Sequence, residues 1–430
     1  MSTKKYHTEL FRVVVGHYLI AAIFFLVLAL MFFFAVESLS GHYFQPRVLA
    51  LTHTAALGWG TMIIFGALNQ LLPVLLEREL FSTRLCWWSL SFFLPGISLL
   101  VYSFWVFDPG MLMQVGGVMV LLAVALFVLN VFFTVGRKKG ESVFQDFILT
   151  SCIWLMLTVV LGFIMVLNFR YAFLPKDHLH FLRLHAHMGI AGWFLLLIIG
   201  VSAKLVPMFL VSGYQKTYLL SVCYYLINGS LLLFLLDGYL HGIHSHTYLI
   251  ACAGIVGILV YLIYVYKCFV SRIRKKIDLP MLQSLLSFLF LIAGIVVLPF
   301  ILYYHLKNSE HAVSLSMLYG ILIFMGWISA LILGQTFKTL PYIIWVEHYE
   351  RVTGKVKTPL PADLLNPTLL KIQFIAFVVF LGSFITGFIY SVYILKIIGT
   401  VSLVVAAVIY GVQVFLLLLH KTKTEDYDRI

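Results

Sequence analysis

The 430-residue chain is 62% hydrophobic and only 11% charged, with a formal net charge of +12, far from the roughly 45–50% apolar and about 25% charged residues of a soluble domain. These values exclude a soluble globular protein and define a polytopic membrane protein, with membrane lipid as its first partner. The Lys and Arg excess lies in short loops between apolar runs, where it is a topology signal, so no nucleic-acid partner is expected.

Runs long enough to cross a hydrocarbon core of about 30 Å occur twelve times, at about 11–36, 47–76, 84–107, 110–136, 145–168, 182–212, 217–237, 246–269, 280–304, 310–337, 369–391 and 394–419. The first is too long for a cleaved signal segment and carries no small-residue cleavage pattern, so it is expected to remain as a span. An even count places both termini on one side. The loops of that side carry Lys4, Lys5, Arg78, Arg84, Arg137, Lys138, Lys139, Lys216, Lys267, Arg272, Arg274, Lys275, Lys276, Lys338, Arg351, Lys355, Lys357, Lys371, Lys421 and Lys423. The opposite loops carry only Arg47, Arg170, Lys176, Arg183 and Lys307. By the positive-inside rule both termini are cytoplasmic, and a bacterial inner membrane is the expected location.

The outer loops are rich in histidine instead: SGHYFQPR, FLPKDHLHFLR, DGYLHGIHSH and HLKNSEHAV. The longest loop, 338–370, is expected on the cytoplasmic side, as a short interfacial piece followed by a Pro-rich connector. The five cysteines, Cys86, Cys152, Cys223, Cys252 and Cys268, form no C-x-x-C or C-x-x-C-H arrangement. That argues against a disulfide framework, a zinc ribbon and covalently attached heme.

An internal repeat organises the chain. The second span reads HTAALGW from His53 and then QLLPVLL; the sixth reads HMGIAGW from His187 and then KLVPMFL; the tenth reads ILIFMGW from Ile321 and then KTLPYII. Trp59, Trp193 and Trp327 are separated by 134 residues each, as are Pro73, Pro207 and Pro341. The fold class expected is therefore all-α, with twelve transmembrane helices in three pseudo-repeated four-helix arcs. These form one membrane domain over 1–430, with repeats at about 11–140, 145–275 and 280–419. Such duplication is also common in transporters.

At 1.5 Å per residue the histidine and the proline of one repeat lie about 30 Å apart along the helix. His53 and His187 therefore share a depth in the outer part of the bilayer. An ionisable side chain there generally faces the bundle interior, pairs with something and marks function; neutral imidazole ligates iron, copper or zinc. The alternative is a core histidine bonded to a backbone carbonyl, and the matching depths favour a ligand. The sixth span adds His178, His180 and His185. Because residues two apart on a helix point about 200° apart, His185 and His187 address two neighbouring crevices rather than one metal.

Histidines near the outer ends of repeated four-helix units resemble the catalytic subunits of heme-copper oxidases and the related nitric oxide reductases. His185-Ala186-His187, followed by Gly200 and Pro207, resembles that family's His-x-His helix, and His53 followed by GALNQLLP resembles its low-spin heme helix. The resemblance implies that His53 and His187 clamp a six-coordinate b-type heme and that His185 holds a second heme or a metal. There are departures: the tenth span has Ile321 at the ligand register, and the family's paired histidines on span seven and its His-Pro-Glu-Val-Tyr helix are missing. The chain also resembles the NnrS group, small heme-binding membrane proteins linked to nitric oxide tolerance.

His241, His244 and His246 in DGYLHGIHSH have spacing suited to copper or zinc, against the plainer reading of a solvated loop. Arg47 and Arg183, at the outer ends of the ligand helices, suit heme propionates or serve as interfacial anchors. Lys204 is expected to snorkel, and the Gly-Trp pairs to pack helices. The leading expectation is a membrane-bound b-type heme protein, with one heme or two and copper as a further cofactor. It would serve electron transfer or nitric oxide or oxygen chemistry as a heme-dependent oxidoreductase, with a redox partner or quinol as donor. The alternatives are a triplicated-bundle transporter or channel with a histidine proton relay, and a non-catalytic subunit of a respiratory complex.

Overall fold

The computed structural model describes residues 3–136, 142–214, 216–273 and 275–422, with side chains from Tyr6 onward. Of the topology signal, Arg137, Lys138, Lys139, Arg274 and Lys423 lie outside the described residues, as do the side chains of Lys4 and Lys5. Lipid offers no hydrogen-bond partner to a backbone, so an apolar run crossing it must satisfy its amides internally. Among the described residues, twelve helices are long and apolar enough to do so. They are α1 (Tyr6–Phe34), α2 (Pro46–Leu76), α3 (Thr83–Val106), α4 (Met111–Val135), α5 (Val143–Tyr171), α6 (His178–Leu210), α7 (Tyr218–Leu240), α8 (His246–Val270), α9 (Leu279–Leu306), α10 (His311–Val352), α11 (Pro367–Ile389) and α12 (Tyr393–Leu418). The protein is an all-α integral membrane protein.

Two boundaries differ from the sequence expectation, each for a local reason. Helix α6 begins at His178 because the Asp177 side chain accepts from the His180 amide at 2.8 Å, so HLHFLR is helical rather than loop. Helix α10 continues through Pro341 to Tyr349 and ends in a short 3-10 turn, Glu350–Val352. The proline forfeits one backbone bond, but Leu340, Pro341, Ile343 and Ile344 are all buried. The expected interfacial piece is thus helical and continuous with α10. Beyond it, the Trp345 indole donates to the Pro359 carbonyl at 2.7 Å, and Asn366 caps α11.

The chain clusters into two compact units. The first comprises Met1–Glu77, Asp278–Gly294 and Ser316–Ile430. Within it Phe25 stacks on Trp59 at 4.4 Å, and Tyr410 meets Trp59 edge-on at 5.3 Å. Polar ties cross this apolar core: the Trp59 indole donates to Ser329 Oγ at 3.1 Å, and the Tyr18 and Thr339 hydroxyls pair at 3.0 Å. The second unit comprises Arg78–Ile277 and Ile295–Leu315. There α5 is tied to α7, with the Trp154 indole donating to Asn228 at 2.9 Å and Thr150 pairing with Tyr224 at 2.7 Å; Ser202 ties α6 to Tyr261 of α8 at 2.7 Å.

The sequence repeat is written into the backbone. Three eight-residue π-helical segments, Thr54–Thr61, Met188–Leu195 and Leu322–Ser329, interrupt α2, α6 and α10 at the 134-residue spacing. Each follows directly on the first residue of the repeated motif: His53, His187 and Ile321. Each contains a Gly-Trp pair whose indole is buried. A Cβ added to Gly58, Gly192 or Gly326 would lie 2.6 Å from Phe24, Trp154 or Phe290. The glycine therefore lets an aromatic ring of the preceding span close onto the π turn, and the pairs are packing devices as expected.

Candidate functional site

His53 and His187 share one local geometry. His53 Nδ1 donates to the Leu49 carbonyl at 2.7 Å, and His187 Nδ1 to the Arg183 carbonyl at 2.8 Å. In both cases the acceptor is four residues earlier, and both side chains are partly buried. Donation from Nδ1 leaves the lone pair on Nε2, the tautomer and anchoring that a metal-ligating histidine needs. The same bond also satisfies a structural histidine. What distinguishes these two is its recurrence at equivalent positions directly before a π turn, a feature that concentrates at functional sites. His53 belongs to the first unit and His187 to the second.

His185 turns the other way. Its Nδ1 reaches the Thr158 carbonyl of α5 at 3.0 Å, and its Cε1 lies 2.8 Å from where a Cβ on Gly162 would stand. His187 instead lies against Phe234 of α7, with ring centroids 4.7 Å apart. The two imidazoles thus face different neighbours, as their 200° separation requires. His178 stacks on Phe169 at 4.4 Å and bonds Asn168, which ties the start of α6 to the end of α5. His180 lies near Tyr239, whose ring and carbonyl Lys176 also contacts.

Arg183 is half-buried and within Coulombic range of His180, His187 and His305. Arg47 is exposed, one residue after Pro46 opens α2. Lys204 is exposed, as snorkelling requires, whereas Lys338 at the same repeat register pairs with Asp278.

The loop histidines come together around Asp237, a residue that their own spacing does not point to. His241 Nδ1 lies 3.0 Å from one Asp237 oxygen, His244 Nδ1 lies 3.6 Å from the other, and His244 Nε2 meets His246 Nδ1 at 3.1 Å. Among the described residues, no three or more His, Cys, Asp or Glu side chains are grouped to hold a metal ion. The available signal for Asp237 is its i, i+4 spacing to His241.

His17 is a second residue outside the sequence expectation. It is wholly buried in α1, with Nδ1 bonded to the Val13 carbonyl at 2.7 Å and its Nε2 buried with no hydrogen-bond partner. A histidine in the middle of the first apolar run is the signal for it, and the 134-residue register, which places no histidine opposite it, hides that signal.

No protein-family model matches the chain, and no curated protein matches it at a significant level.

Proposed function

We propose that the protein is a membrane-bound b-type heme protein, in which His53 and His187 would hold the heme iron. The observation that carries this reading is the paired geometry: two imidazoles at one repeat register, each with Nδ1 held by the i−4 carbonyl and Nε2 in the ligating tautomer. Neutral imidazole from a low-dielectric helix interior is a donor that heme iron accepts. Heme, when bound, would supply one-electron transfer and affinity for diatomic gases, nitric oxide first among them. The chain's own contribution is to fix the imidazole planes through their backbone bonds and to keep bulk water from the ligand helices. Arg183, one turn before His187, and Arg47, one turn and a half before His53, suit the propionates. The Lys- and Arg-rich loops support an orientation with both termini in the cytoplasm of a bacterial inner membrane. A quinol or other redox partner in the membrane would be the electron donor.

The test is an absorption spectrum of the purified protein with heme quantification. A Soret band is expected, weakened or abolished in His53→Ala and His187→Ala and partly restored by added imidazole. Each substitution on its own is expected to reduce the heme content or shift the spectrum, and a wild-type spectrum in either variant removes that histidine from the ligand set. A folded, colourless protein overturns the proposal and leaves a transporter with histidine relays as the better reading.

A further inference from the structure

Separate from the heme reading, the loop joining α7 to α8 carries a pair of nitrogens set as two ligands of one ion. His244 Nε2 and His246 Nδ1 are 3.1 Å apart. An ion about 2.0–2.1 Å from each nitrogen would separate its two ligands by about 2.9 Å at a right angle and about 3.3 Å at the tetrahedral angle. The observed separation falls inside that interval, so an ion can take the place of the bridging proton once each ring swings to aim its lone pair at it.

The surrounding bonds fix which nitrogen is available. His244 Nδ1 donates to the Gly242 carbonyl at 3.1 Å, with Asp237 Oδ2 3.6 Å from the same nitrogen. The lone pair of His244 is therefore on Nε2, and the proton shared with His246 belongs to His246 Nδ1. Gly242 holds φ at +79° with open space where a Cβ would stand, so glycine is needed there for the left-handed turn that brings its carbonyl to His244. The His244 backbone amide donates to Thr247 Oγ1 at 3.1 Å, which fixes the ring's base to the first turn of α8. A backbone carbonyl and a carboxylate behind a histidine are the supporting partners that orient metal ligands. His241 is spent differently: its Nδ1 pairs with Asp237, and its side chain is 63% exposed.

We propose that His244 Nε2 and His246 Nδ1 form a Cu2+ site, with Asp237 as a positioning residue, His241 outside the ligand set and water in the remaining positions. Two imidazoles with water oxygens suit the tetragonal preference of Cu2+, which also binds most tightly among the divalent first-row ions. On binding, the His246 proton moves from Nδ1 to Nε2, both rings remain neutral, coordinated water is displaced from the ion, and no redox change is needed.

The experiment titrates untagged full-length protein in nanodiscs, cleared of metal by chelator, with Cu2+, reading affinity by competition and coordination by electron paramagnetic resonance. One ion per chain with hyperfine structure from two nitrogens is expected. His244→Ala and His246→Ala should each weaken binding at least ten-fold and lose the two-nitrogen pattern, Asp237→Asn should weaken it while retaining that pattern, and His241→Ala should leave both unchanged. Wild-type affinity in His244→Ala and His246→Ala, or an equal loss in His241→Ala, overturns the assignment. All four positions are in or beside the interhelical loop, and circular dichroism verifies that each variant is folded.

Discussion

His17, His53 and His187 make the same bond to the carbonyl four residues earlier, yet they face different surroundings. His17 is enclosed on every side, and its second nitrogen has no partner; a buried polar atom left unsatisfied costs about 1–3 kcal/mol. His17→Leu is therefore expected to leave any heme spectrum unchanged and to hold or raise thermal stability by up to about 1 kcal/mol, measured by thermal melts in detergent. Loss of the Soret band in that variant would make His17 a ligand instead. His185 is the contrasting case, pressed into the notch at Gly162. Gly162→Ala is expected to displace the ring, break its bond to the Thr158 carbonyl and cost about 1–3 kcal/mol through overpacking. A melting temperature equal to wild type would show that α5 and α6 part without cost.

At the scale of elements, the twelve spans were legible because lipid enforces a length and a composition that few other structures share. The shared register of His53 and His187 was legible because both recur with the Gly-Trp and Pro landmarks. Three things were not. The start of α6 is set by the single cap at Asp177, inside a segment polar enough to read as loop. The end of α10 depends on burial of Leu340 and Ile344, which offsets the bond lost at Pro341 and has no signature in local composition. The π turns leave no periodicity of their own over eight residues; only their coincidence with the repeat makes them visible.

The indole bond between the π turns of α2 and α10 provides a measurement. Trp59→Phe removes the donor to Ser329 Oγ, and interhelical bonds of this kind in membranes are worth about 0.6 kcal/mol on average, with about 1.7 as an upper value. A loss in that range is expected in steric-trap unfolding, and a loss above about 3 kcal/mol would mean that packing around Phe25 depends on the indole itself.

For the whole molecule, the expectation that most needs measurement is orientation. The Lys- and Arg-rich loops predict that a fluorescent protein fused after α12 will fold and fluoresce, and that alkaline phosphatase placed in the loop after α7 will be active. The reverse pattern would invert the topology and place the His244–His246 loop on the cytoplasmic side. The histidines of the two repeats also lie in separately clustered units, the first holding His53 and the second His187. That partition was not legible in a 134-residue repeat, because the packing that gathers α1, α2, α11 and α12 joins the two ends of the chain.

The third repeat carries a consequence of its own. Leu322–Ser329 keeps the π turn although Ile321 stands where the other two copies have histidine, with Met317 four residues earlier. The backbone distortion therefore does not need an imidazole beside it; it is encoded by the Gly-Trp pair and the ring that covers the glycine. The histidine and the π turn are separable features of this repeat. The third copy keeps the turn without the histidine, and Ile321→His, read by heme content, is the single change that would tell whether the turn alone suffices to make a binding position.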